Sequence, residues 1–215
     1  MNLKTKYMTR KSFIATFIIC ILSTFSAFGQ QLKKSEIGST IYAVFYSTGM
    51  PESAIWPLGM KLSKNGHTIR HTSLKALEGN MNINNKVPFR FIIAPKEGTS
   101  TSWANAMGLS TTANNELEPG GDAEKSGCAN YSTDEFSSGW RLPTQREMML
   151  MWLFREGING IYPGGKIGND SEKRYWTATE SSANQAWYLD FNAIAPASSA
   201  YIKTNDFKYR CVRDY

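Results

Sequence analysis

Gly139-Trp-Arg-Leu-Pro-Thr-Gln-Arg-Glu147 is the stretch on which the fold turns, and Met148-Met-Leu-Met-Trp-Leu-Phe154 follows it without a polar break. Thr144 has the small oxygen-bearing side chain that caps a helix. Glu147 stands three residues on, where its carboxylate reaches back to the N–H of the cap. This spacing predicts a helix starting after Thr144, with the cap contributing about 1 kcal/mol. A helix apolar on nearly every side is gripped by neighbouring elements, so this one belongs to a core, with methionine filling gaps; a methionine-rich binding groove is the lesser reading. Gly157 and Gly160 are expected to end it.

On either side of this helix the chain reads as strands and turns. Thr40-Ile-Tyr-Ala-Val-Phe-Tyr46 and Pro88-Phe-Arg-Phe-Ile-Ile-Ala94 are rich in β-branched and aromatic residues. Asn65-Gly66, flanked by Met60-Lys-Leu-Ser63 and His67-Thr-Ile-Arg70, is a hairpin signal. Ser102 to Met107 has helix character that Gly108 limits to a turn or two, and residues 110–127 read as a long polar loop. Three strands close the chain: Tyr175 to Thr179, Ala186 to Phe191, and Tyr209 to Arg213. In the second, Trp187, Leu189 and Phe191 share one face while Tyr188 and Asp190 take the other, a half-buried antiparallel pattern. The fold class is therefore α+β: a small irregular antiparallel sheet with two helices and long loops.

The chain has 215 residues, 41% hydrophobic and 20% charged, with a net charge of +6. That excess invites a nucleic-acid reading, but Lys4, Lys6, Arg10 and Lys11 sit together at the N-terminus with no acid among them. Without these four, 20 cations face 18 acids, and no basic run is long enough to track a phosphate backbone, so no nucleic-acid partner is expected. The four cations precede the apolar run Phe13 to Leu22 and the small residues around Ala27 and Gly29, the layout of a secretory signal peptide cut between Gly29 and Gln30. The apolar run is shorter than the ~20 residues that a membrane span needs, so no transmembrane segment is expected after cleavage. Cys20 lies mid-segment behind Ile19, which does not suit lipid attachment. The expected organisation is a signal peptide over 1–29, a polar leader and β-rich extension over 30–87, and the main domain over 88–215. The product would be exported, to the periplasm, the outer-membrane surface or the medium. Its two cysteines, Cys128 and Cys211, are read first as a disulfide, with a catalytic thiol as the alternative.

Several pieces, in order, resemble one family: Phe91-Ile-Ile-Ala-Pro95, Trp103-Ala-Asn-Ala106, Cys128, Gly139-Trp-Arg-Leu-Pro-Thr144 with Glu147, Tyr175-Trp-Thr-Ala-Thr-Glu180, Ala186-Trp-Tyr188 and Arg210-Cys-Val-Arg-Asp214. The order is similar to the Fibrobacter succinogenes major paralogous domain and to the C-terminal domain of the Legionella collagen-like adhesin, both of the C-type-lectin-like fold. The resemblance covers about residues 88–215. It implies a surface module of Bacteroidetes-type bacteria, often carried by adhesins, in which the first and last strands pair. It also implies a bridge from the terminal strand to an earlier segment, which Cys211 with Cys128 would fit. Trp140, Arg141, Pro143, Thr144, Glu147, Trp176 and Trp187 are then structural positions.

Chemistry-bearing constellations are sparse. Calcium-dependent lectins use a Glu-Pro-Asn or Gln-Pro-Asp loop followed by Trp-Asn-Asp. Here Glu118-Pro119-Gly120 lies before the helix, and Asn169-Asp170 lacks a partner motif, so too few oxygen ligands are placed. Arg-Leu-Pro-Thr-x-x-Glu also occurs in formylglycine-generating enzymes, whose copper chemistry needs a cysteine pair that this C-terminus lacks. His67 and His71 sit on a strand-like segment, where four residues span ~13 Å and the rings could not share a metal. Asp190 and Glu180 could be proposed as paired carboxylates, but spacing along the chain says nothing of their separation, and the carboxylates that an enzyme acting on extracellular polymer would use are not located. No metal, cofactor or catalytic residue is assigned. Among the late aromatics, Tyr188 and Tyr201 are the candidates for ligand contact, since flat rings stack on sugars and anchor interfaces. The expectation is a non-catalytic surface module, an adhesin or fimbria-like subunit, with a protein or glycan partner. An enzyme and a structural subunit completing a neighbour through Thr40–Lys86 are the alternatives.

Overall fold

The computed structural model describes residues 30–51, 61–62, 69–70, 86–108, 127–182, 184–192 and 195–215. The export segment, the His67/His71 pair, Glu118-Pro119-Gly120 and nearly all of the 110–127 loop lie outside the described residues. Among the described residues the strands are β1 (Gln30–Ile37), β2 (Thr40–Pro51), β3 (Lys61–Leu62), β4 (Ile69–Arg70), β5 (Lys86–Ile93), β6 (Gly98–Thr101), β7 (Trp140–Arg141), β8 (Arg174–Glu180), β9 (Gln185–Asp190), β10 (Ala197–Ile202), β11 (Phe207–Tyr209) and β12 (Val212–Asp214). The short α-helices among the described residues are α1 (Trp103–Met107), α2 (Gln145–Leu153) and α3 (Arg155–Ile161). The architecture is α+β, as its sequence indicates.

The strands form two sheets rather than one. The first runs β1-β2-β5-β12-β7, and the second β10-β9-β8-β11-β6, with β4 joining β8 and β3 joining β4. Most pairs are antiparallel, but Lys208 on β11 and Ile69 on β4 each meet β8 in parallel. The β3–β4 pairing, Lys61 with Arg70 and Leu62 with Ile69, joins the two flanks of Asn65-Gly66. Strand β5, which opens the region of the family resemblance, pairs with the terminal β12 through Phe91–Asp214 to Ile93–Val212.

Within the first sheet, the central strands β2 and β5 are buried on both faces. Tyr42, Val44, Ile92 and Ala94 enter one apolar cluster with Trp103, Trp140, Trp176 and Phe207. Their neighbours Ala43, Phe45, Phe91 and Ile93 enter a second with Met148, Leu150, Met151, Ile158 and Tyr162. This two-sided burial explains why β2 and β5 read as continuous apolar runs instead of alternating ones.

Four local readings are corrected. Residues 30–37 are not a loose leader: they pair with β2 from Gln30–Ser47 to Ile37–Thr40. The helix after Thr144 does not end at the glycines; it breaks at Phe154 (φ −101°, ψ 14°), and Gly157 and Gly160 lie inside α3. Phe154 turns its ring onto Phe45 at 5.7 Å, while the bare Gly157 lets α3 approach Leu32, whose Cδ2 would sit 2.8 Å from a Cβ there. The last strand is two strands, because the chain crosses from the second sheet to the first at Arg210–Cys211. Finally, β9 is covered on both faces: Leu189 and Phe191 enter one cluster, Ala186 the other, and Tyr188 packs against the latter.

Candidate binding site

The 139–147 motif forms a joint between the two sheets. Thr144 Oγ1 accepts from the N–H of Glu147 at 3.1 Å, and Glu147 Oε2 accepts from the N–H of Thr144 at 2.7 Å, a complete capping box. Arg141 grips the same carboxylate with both terminal nitrogens at 2.7 Å and reaches Asp214 at 2.6 Å. Burial opposes the Arg141 charge, but Glu147 and Asp214 outweigh it and raise its pKa above the ordinary value. The Pro143 carbonyl accepts from Ala178 N–H at 2.8 Å, tying this turn to β8. Trp140 is buried edge-on to Tyr131 and Phe136. Trp176 is fully buried and donates to Thr101 O at 3.0 Å, and Trp187 is half-buried with its carbonyl accepting from Thr177 Oγ1. Cys128, in a turn of 3-10 helix, is bonded to Cys211, with Cα atoms 5.4 Å apart.

Tyr188 and Tyr201 part company. Tyr201 is 44% exposed, whereas Tyr188 lays its ring 4.8 Å from the buried Phe207 and meets Tyr201 edge-on at 6.3 Å. Only Tyr201 offers an open ring. Asp190 and Glu180 fall at opposite ends of the β8–β9 ladder, opposite Arg174 and Ala186 respectively. Glu180 is buried against Lys203 at 2.6 Å, and Asp190 accepts from Asn192 N–H. They are not an acid–base pair.

An open cleft of ≈ 400 Å³ lies elsewhere, lined by Lys96, Glu97, Pro163, Gly164, Gly165, Lys166, Asn169 and Asp170. One rim is the turn between β5 and β6, and the other is the loop between α3 and β8. Arg210 holds the rims together from beneath: its guanidinium donates to Gly165 O at 2.7 Å and Pro95 O at 3.0 Å. Arg210 is fully buried, and that desolvation lowers its pKa from the ordinary arginine value. A Cβ on Gly165 would come within 2.2 Å of Pro95 O, so this close approach requires glycine. Lys208, reaching over from β11, donates to both Glu97 and Asp170. Burial works against the Lys208 charge, but the two carboxylates prevail and raise its pKa, while the Lys208 bond lowers that of Asp170. Tyr175 holds Glu97 from the core, donating to Glu97 Oε2 at 2.7 Å and accepting from Gly168 N–H at 2.8 Å; burial and then Glu97 push its phenol pKa up.

Chemically, this cleft offers hydrogen bonds and positive rims. Both of its carboxylates are engaged by one ammonium, and Lys96 and Lys166 stand at the edges. Among the described residues no group of three or more His, Cys, Asp or Glu side chains converges on a metal-sized space, and no helix is long and apolar enough to cross a membrane. Of the cleft, the sequence marks out Asn169-Asp170 alone, as a calcium motif without its partner. Pro163-Gly-Gly-Lys166 reads as an ordinary turn, and its meeting with Lys96 depends on Arg210, 44 or more positions away in the chain.

The chain is similar to a solved fimbrial protein from Bacteroides ovatus, at 11% identity and a TM-score of 0.33. The likeness covers 85% of this chain and 45% of that one, so this chain spans less than half the length of that protein. No curated protein matches it. Residues 82–213, carrying the capped helix, both cysteines and the cleft, match the Lcl C-terminal domain, and the chain belongs to that family.

Proposed function

We propose that this protein is an exported, non-catalytic surface module of the adhesin type, which contacts a glycan or a protein through the Lys96–Asp170 cleft. Family membership supports a role in contact. The Cys128–Cys211 bridge supports an oxidising compartment outside the cytoplasm. The observation that carries the reading is the state of the cleft carboxylates. Glu97 and Asp170 are both taken up by Lys208, whereas Lys96, Lys166 and Asn169 line the opening. Such a lining matches a hydroxyl-rich or acidic ligand held by several hydrogen bonds.

A glycan array run beside a pull-down from surface extracts tests this. Binding that is lost in a Lys96→Glu/Lys166→Glu variant of unchanged circular dichroism supports it. Silence in both assays together with turnover of an extracellular polymer overturns it.

A further inference from the structure

The two sheets leave two long edge strands, β1 and β10, and they differ in how they are guarded. β1 carries Lys33, Lys34 and Glu36. An antiparallel two-fold pairing of β1 with its own copy near mid-strand would set Lys33 against Lys33 or Lys34 against Lys34, the like-charge contact that keeps edges apart. β10 reads Ala197-Ser-Ser-Ala-Tyr-Ile202, with no charge, no proline and no glycine. It pairs with β9 along its whole length, from Ala197–Asp190 to Ile202–Gln185, and among the described residues its other edge has no strand partner. Tyr201 and Ile202 are 44% and 48% exposed, one on each face of the strand. An uncharged edge of six residues with exposed apolar side chains is a template for another strand.

The residue order says which strand fits. The first half of β10 is small and the second half is large. In an antiparallel two-fold pairing, Tyr201 and Ile202 of each copy lie beside Ala197, Ser198 or Ser199 of the other, large against small on both faces. A parallel copy would set Tyr201 beside Tyr201 and leave the small halves facing each other. Neither arrangement meets a charge within the strand, but only the antiparallel one complements itself in shape. The tyrosine ring is also already steadied by Tyr188 at 6.3 Å and Phe207 at 5.7 Å, so it loses little freedom on contact.

We infer that β10 is a homodimer interface, at which a second copy of this chain pairs antiparallel and joins the two second sheets into one. This surface is separate from the Lys96–Asp170 cleft, so its test reads mass rather than ligand binding. Sedimentation velocity of the purified protein over a wide concentration range should show a reversible monomer–dimer equilibrium. Ser199→Lys, at an exposed mid-strand position, should raise the dissociation constant at least about tenfold by setting lysines close together across the two-fold axis. Ile202→Lys, at the exposed strand end, serves as the second variant should Ser199→Lys melt early, and Lys33→Glu on β1 should leave the equilibrium unchanged. A protein that stays monomeric throughout overturns the inference. So does a dimer indifferent to both β10 variants, and so does a monomer whose β10 edge captures an extended peptide in place of its own copy.

Discussion

Tyr162 shows how one side chain can splice two strands. Its hydroxyl accepts from Ala43 N–H at 2.6 Å and donates to Ile93 O at 2.7 Å, sitting between β2 and β5 where their register pairs those two residues. Burial raises its phenol pKa, so it remains a neutral donor through the physiological range. Tyr162→Phe strands a buried N–H and a buried carbonyl, and a loss of about 2 kcal/mol in urea unfolding is expected. Gly165→Ala should cost about 1–3 kcal/mol, because the added methyl forces the Arg210-held rims apart. It should also weaken ligand binding more than a conservative change elsewhere on the surface. Neither residue was legible beforehand. Tyr162 follows a helix of ordinary composition and Gly165 sits in a Gly-Gly turn, and each matters through a contact with a residue far away in the chain. Thr144 and Glu147 could be read because both halves of a capping box lie within one turn.

At the scale of elements, local chemistry was legible and long-range chemistry was not. The capped helix, the flanks of the Asn65-Gly66 hairpin and the cores of β2, β5, β8 and β9 follow from spacing and β-propensity. The split of the last strand does not, because Arg210-Cys211 is a crossover only in relation to two sheets. Nor does the single-helix reading survive Phe154, whose partner Phe45 lies on β2. Thr144→Ala removes the acceptor for Glu147 N–H, and a loss of about 1 kcal/mol by chemical denaturation is expected. The β1–β2 turn is fastened to Glu135, which accepts from Ser39 N–H and Oγ at 3.1 Å and from Tyr42 OH at 2.9 Å. Desolvation opposes its charge, but hydrogen bonds from Thr40, Tyr42 and Ser39 prevail and lower its pKa to about 2. A depressed carboxylate stabilises the fold above its unfolded value near 4.5 and ceases to do so as pH falls towards about 2. Glu135→Gln should therefore lower the urea midpoint at pH 7, with the difference from the native protein shrinking across that window and vanishing at its acid end.

Over the whole molecule, the two sheets share a terminal segment that begins in one and ends in the other, and the bridge to Cys128 lies at the point of crossing. A closed loop with a sequence separation of 83 residues contributes roughly 4–5 kcal/mol in the chain-entropy picture, so Cys128→Ser/Cys211→Ser should unfold at a much lower denaturant concentration. That frame carries the cleft, since Arg210 beside Cys211 clamps both of its rims. On the proposed function, this clamped cleft makes contact and does no chemistry. The most direct measurement is a calorimetric titration of the strongest ligand from the glycan array or pull-down into the native protein and into Lys96→Glu/Lys166→Glu. Saturable binding without turnover is expected, weakened about ten- to hundredfold by the paired reversal. Equal affinity in both proteins, or heat from a ligand that is consumed, would contradict it.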